Sequence, residues 1–140
     1  MKQKLFRSIL LLTGAAVGLV LLLFFWVSCQ YITQNSFASL KREANLLIVA
    51  DGEGNVPVSE LQRLHLADRV TLIAPDGHAL YDNYADAESM ENHLQREEVQ
   101  EALKGGEGRS QRASETIGKN ILYYAVRLPD GNVLRLSRTN

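Results

Sequence analysis

The feature that most constrains this chain is the run from Ile9 to Val27, in which no residue carries a charge. At the helical rise its length corresponds to about 28 Å, close to the roughly 30 Å hydrocarbon core of a bilayer. The sequence therefore predicts a membrane-crossing helix over residues 9–31, with the lipid bilayer as its first partner. Lys2, Lys4 and Arg7 stand immediately before the run with no acid nearby. By the positive-inside rule, residues 1–8 form a basic cytoplasmic N-terminus and residues 32–140 lie outside. Within the run, Gly14 and Gly18 form a G-x-x-x-G spacing that permits close packing against a second helix.

About 110 residues follow, enough for one domain with a single core. A net charge of -1 argues against nucleic acid as a partner, because a domain built on phosphate contacts is usually clearly basic. The only cysteine is Cys29, so the outer domain must fold without an internal disulfide. Val27-Ser28-Cys29 also resembles the end of a lipoprotein signal. However, Trp26 stands where such signals carry a small aliphatic residue, and the apolar run is longer than a signal's. The favoured reading of Cys29 is a small residue at a helix end.

From Gln30 to Val49 there is no Gly or Pro, and Phe37, Leu40, Ala44 and Leu47 recur at helical spacing, predicting one apolar stripe. That stripe packs on its own domain or pairs with a second copy, and the helix is expected to stop at Asp51-Gly52-Glu53-Gly54-Asn55, before Pro57. Ser59 is expected to cap a short helix over Glu60–His65. Arg69–Ala74 and Ala79–Asn83 read as a hairpin around Pro75-Asp76-Gly77, and Glu97–Lys104 as a helix ending at Gly105-Gly106. Three strands are then predicted, near Arg109–Glu115, Asn120–Leu128 and Asn132–Ser137. Their turns are marked by Gly118 and by Pro129-Asp130-Gly131. Alternation puts Leu122, Tyr124, Val126, Leu128, Leu134 and Leu136 on the core face. The predicted fold class is α+β: a transmembrane helix, then a five-stranded antiparallel sheet with the N-terminal helix packed on one face.

Three stretches together resemble a known family: Arg69-Val-Thr-Leu-Ile-Ala-Pro-Asp-Gly-His-Ala-Leu-Tyr-Asp-Asn83; Glu91-Asn-His93 with Val99-Gln-Glu-Ala-Leu-Lys-Gly-Gly-Glu-Gly108; and Leu122-Tyr-Tyr-Ala-Val126 with Asp130-Gly131 and Leu134-Arg-Leu-Ser137. The chain is similar to the extracytoplasmic sensor region of bacterial two-component sensor histidine kinases of the phosphate-regulation-like type, with a PAS-like or single Cache input domain. The resemblance implies a PAS-like fold over residues 32–140, a bacterial cell-membrane location, a homodimer, and a signal that is either a small molecule or an extracytoplasmic protein. It also implies a second membrane helix and kinase domains after Asn140, and only through those a response regulator. None of His65, His78 and His93 is followed by the Glu-x-x-Thr-Pro pattern of a phosphoacceptor site. The stretch itself is thus expected to be non-enzymatic. A membrane-anchored binding or accessory protein without a kinase domain is the alternative reading.

No H-E-x-x-H, G-x-S-x-G or P-loop pattern occurs, and no cofactor, catalytic residue or metal ligand is expected. Between Asp82 and Glu101 there are seven acids against one base, Arg96, which reads as a solvated acidic face. Candidate ligand-binding residues are Tyr81, Asp82, His93, Tyr124 and Arg135. The resemblance implies a site between sheet and helical stretches, an arginine can hold a carboxylate bidentately, and imidazole titrates near neutral pH.

Overall fold

The computed structural model describes residues 1–50, 52–113 and 119–139. The chain divides into two compact units, Met1–Asn35 and Ser36–Asn140. The first is the leading part of helix α1 (Lys2–Ala50), whose apolar side chains stand exposed and which is long and apolar enough to cross a membrane. Cys29 is a free, exposed thiol on it.

The second unit begins inside α1 and continues through α2 (Val58–Arg63), β1 (Arg69–Ile73), β2 (Ala79–Asp82), a single 3-10 turn at Ala87–Ser89, α3 (Glu97–Gly105), β3 (Glu107–Ala113), β4 (Asn120–Arg127) and β5 (Val133–Thr139). The five strands form one antiparallel sheet in the order β2-β1-β5-β4-β3. β5 is central: Thr71 faces Arg135 across β1, and Tyr124 faces Leu136 across β4.

Each face of the sheet is covered by a different helix, because every strand alternates its side chains. One face carries Val70, Leu72, Leu122, Tyr124, Leu134 and Leu136 against Leu40, Ala44 and Leu47 of α1 and Leu61 of α2. The predicted stripe is therefore a core stripe of its own domain. Two ion pairs flank it: Lys41 with Glu107 at 2.7 Å, and Glu43 with Arg138 at 3.3 Å. The opposite face carries Ile73, Ala125 and Val133 against Val99 and Ala102 of α3. Gly108 lets α3 sit this close, since a Cβ there would lie 2.2 Å from the Glu98 carbonyl oxygen.

The α+β class, the order of elements and the strand positions agree with the sequence reading, and five of the six residues expected in the core are buried, Val126 being partly so. Four local expectations are corrected. α2 starts one residue before Ser59, with Pro57 at the N-cap and no side-chain cap. There the first N–H groups are satisfied by backbone, Glu60 and Leu61 both donating to the Pro57 carbonyl. The helix also stops at Arg63, because Leu64 is already extended. β1 ends at Ile73, since the Ala74 carbonyl accepts from Gly77 and so belongs to the turn. β5 runs on to Thr139, paired with Ile121. The expected turn at Gly118, the strand end at Glu115 and the helix stop at Asp51 lie outside the described residues.

Candidate functional site

The five residues singled out in the sequence fall on both faces of the sheet. Tyr81 and Tyr124 are on the α1 face and serve the core: Tyr81 donates its hydroxyl to the Leu61 carbonyl at 3.2 Å, and Tyr124 to Glu107 at 2.9 Å. Burial and the Glu107 carboxylate push the Tyr124 hydroxyl pKa up. Both are structural tyrosines. Asp82, His93 and Arg135 lie on the α3 face, beside a cleft of about 250 Å³ over the part of the sheet that α3 leaves open, with His93 and Arg135 in its lining.

Arg69, Arg96, Arg112 and Arg135 line this cleft together with His93, Glu91, Met90 and Tyr123. Three of the four guanidinium groups have a carboxylate each. Arg69 donates through Nε to both Asp82 oxygens at 3.2 and 3.0 Å. Arg112 is bidentate to Glu98, at 2.9 and 2.8 Å, and stacks 3.9 Å over the Tyr123 ring. Arg96 lies 4.0 Å from the exposed Glu91.

Arg135 is the fourth. Only 4% exposed, it reaches Glu98 at 3.5 Å through Nη1 and the Thr71 hydroxyl at 3.1 Å through Nη2. Glu98 has little acceptor capacity left, because Ser110 also donates to it at 2.6 Å. The Arg135 Nε and the His93 Nδ1 are the two buried side-chain polar atoms without a partner among the described residues. Such atoms are uncommon in folded proteins and each costs about 1–3 kcal/mol.

Backbone contacts fix His93 here. Its N–H donates to the Gly77 carbonyl at 2.8 Å, while Asn92 Nδ2 donates to the Asp76 carbonyl at 3.0 Å. The segment Asn92–Leu94 thus lies across the β1–β2 turn, and Gly77 has φ +93 with no room for a Cβ. Burial and the positive charges of Arg135 and Arg96 hold the His93 pKa below the usual imidazole value.

The expectation of a solvated acidic face fails for Asp82 and Glu98, which are 8% and 0% exposed. Burial raises a carboxylate's pKa, but the bonds from Arg112 and Ser110 outweigh it and bring Glu98 down to about 2. For Asp82, burial is outweighed by Thr71, the Tyr84 N–H and Arg69, so its pKa also falls. These two acids pair with Arg69 and Arg112. Among the described residues no cluster of three or more potential metal-ligating side chains occurs.

Arg69, Arg112, Tyr123 and Glu98 were not singled out in the sequence, yet the signal for some of them was present. The alternation that sends Leu122 and Tyr124 to one face sends Tyr123 to the other. The pairings Arg112 with Ile121 and Ser110 with Tyr123 place those β3 side chains on the same face as Tyr123.

At the level of class, the chain is a helix of membrane-spanning length and an α+β domain with an open five-stranded antiparallel sheet and an arginine-lined cleft. Comparison with protein families, curated proteins and solved structures finds no match.

Proposed function

We propose that residues 1–140 are the input region of a membrane-bound two-component sensor histidine kinase: a PAS-like, single Cache-type domain that works as a homodimer on the extracytoplasmic side. It performs no catalysis itself. A ligand or partner protein acts on the outer domain, and the change is passed on through α1.

The observation that carries this reading is the double duty of β5. Arg135 on this strand faces the cleft, its neighbours Leu134 and Leu136 pack in the core that contains Leu40 and Ala44 of α1, and Arg138 further along bonds Glu43 of α1. A ligand that shifts Arg135 therefore acts on a strand whose other side holds the helix. Binding and output are coupled only to the extent that two arrangements of this contact differ in ligand affinity.

The test joins the chain to the cytoplasmic module of a sensor kinase and measures phosphorylation of its regulator in cells. Arg138→Gln, which weakens the link between β5 and α1, is expected to change basal output severalfold. Replacing residues 52–139 with a flexible linker is expected to abolish regulation. Output unchanged by both alterations would overturn the proposal.

A further inference from the structure

We infer that Glu43, Asp68 and Arg138 form a proton-operated latch between α1 and the sheet, closed while the trio holds one proton and loosened when it gives that proton up. The latch itself rests on the contacts of these three residues. Its use as a signal rests on the sensor reading above, and makes that signal the proton concentration at the domain.

One guanidinium serves two carboxylates. Arg138 of β5 donates through Nε to Asp68 Oδ1 at 2.8 Å and through Nη2 to Asp68 Oδ2, so its fork is taken by the residue just before β1. Glu43 of α1 is left with the same Nη2, at 3.3 Å. Oxygens that share one nitrogen lie close together, and two carboxylates so placed and largely withdrawn from water resist ionising together. The Asp68 side chain is 7% exposed and that of Glu43 26%. With both acids ionised the trio carries a net negative charge. One proton makes it neutral, and the protonated Glu43 carboxyl donates to Asp68.

The proton settles on Glu43. Burial and the neighbouring Asp68 bring its pKa up to about 7, against the pull of Arg138. The other charged groups of the surrounding elements are engaged elsewhere or exposed. Arg69 of β1 pairs with Asp82, Arg127 of β4 donates to the Leu103 carbonyl, and Arg109 of β3 lies over the Phe37 ring. Arg42 of α1, Arg63 of α2, His65 and Lys119 are exposed. Solvent supplies and receives the proton, because Asp68 and Arg138 line an open cleft of about 400 Å³ at the start of β1 and the end of β5.

A second clamp stays shut over the same range. Lys41 bonds Glu107 at 2.7 Å on the other flank of the buried stripe, and Lys41 and Tyr124 hold the Glu107 carboxyl below its ordinary value. Lys41 and Glu43 stand roughly 200° apart around the helix. Loss of the proton therefore loosens α1 along the Glu43 edge and leaves it fixed along the Lys41 edge.

The experiment takes the full chain in detergent micelles from about pH 5 to about pH 8.5 at constant ionic strength. It follows the Glu43 carboxyl by 13C NMR, and residues 36–49 by hydrogen exchange corrected for the intrinsic effect of pH. Glu43 is expected to titrate near 7. Because its folded-state pKa is raised, protection is expected to be highest at the acid end and to fall about fivefold as pH rises through that midpoint, a value reduced for partial exposure. Glu43→Gln, which mimics the protonated acid, is expected to hold protection at its acid-end level throughout. Asp68→Asn is expected to move the midpoint down, and Glu91→Gln, an exposed acid elsewhere, to leave it in place. Titration of Glu43 near 4.5, protection that does not change with pH in the unsubstituted chain, or an unchanged profile in a folded Glu43→Gln chain would each overturn the proposal. The NMR titration needs no substitution, so it decides the matter even where a variant does not fold. Output of the kinase fusion across the same pH range separates this result from the sensor reading. A step in protection with flat output upholds the latch and tells against the sensor; flat protection overturns the latch and leaves the sensor another signal.

Discussion

Glu98 is the residue on which the α3 face depends. Fully buried, it accepts from Ser110, Arg112 and Arg135, and so ties α3 to β3 and β5. Removing one member of a buried ionic group leaves the others uncompensated, so Glu98→Ala is expected to cost about 3–5 kcal/mol, read as a lower midpoint of chemical unfolding. The pH dependence has a definite sign. The folded-state pKa of about 2 lies below the ordinary 4.5, so the stabilisation is complete above pH 4.5 and is lost as pH falls toward 2. Glu98→Gln should flatten that acid limb.

Glu43 behaves in the opposite way. Burial first, and then the neighbouring Asp68, raise its pKa to about 7 against the pull of Arg138. Its contribution is greatest below pH 4.5 and disappears as pH rises through 7. Glu43→Gln keeps an oxygen for Arg138 and removes the charge beside Asp68. It is expected to stabilise the chain at pH 8 by about 1 kcal/mol, a value reduced for partial exposure, and to leave it unchanged at pH 4. Thermal unfolding at the two pH values checks this.

Among the elements, α1 shows how closely helical spacing reports packing. Leu40, Ala44 and Leu47 are buried on the sheet, whereas Leu46 and Val49, equally apolar, are exposed. Leu40→Ala should cost about 2–5 kcal/mol and Leu46→Ala less than about 0.5 kcal/mol, both read from unfolding midpoints. The helices, the hairpin and the five strands were legible because period and turn residues are local signals. What was not legible was how each helix end is satisfied. Ser59 has the chemistry of a cap, but the chain enters the helix two residues earlier than such a cap implies, and Pro57 supplies a backbone carbonyl in its place. The role of Gly108 was equally hidden, because the need for a glycine comes from α3 docking on β3. Gly108→Ala is expected to cost about 1–3 kcal/mol by pushing the Glu98 backbone away from the sheet.

For the whole molecule, the candidate site was legible only in part. Asp82, His93 and Arg135 could be named from residue type, but Tyr81 and Tyr124 have the same residue-level credentials and face the other way. Face is set by strand alternation, which sends the polar residues between the core positions to the opposite side of the sheet. The pairing of Arg69 with Asp82 and of Arg112 with Glu98 depends on contacts between β1 and β2 and between β3 and α3, which no local pattern contains.

The orientation proposed for α1 rests on the charge close to the two ends of its apolar run. Lys2, Lys4 and Arg7 lie within seven residues of the start, whereas beyond Val27 the first charged residue is Lys41, followed by Arg42 and Glu43. The margin between the two sides is small when counted over the 15–20 residues that matter, and it rests on proximity to the run. Changing Lys2, Lys4 and Arg7 together to Gln should therefore give mixed topologies rather than a complete inversion. External protease on spheroplasts reads the outcome. The unaltered chain is expected to lose its α+β domain to the protease, and the triple variant to keep a protected full-length fraction. Complete protection of the unaltered chain would place the domain in the cytoplasm, and with it both the cleft and any ligand it meets.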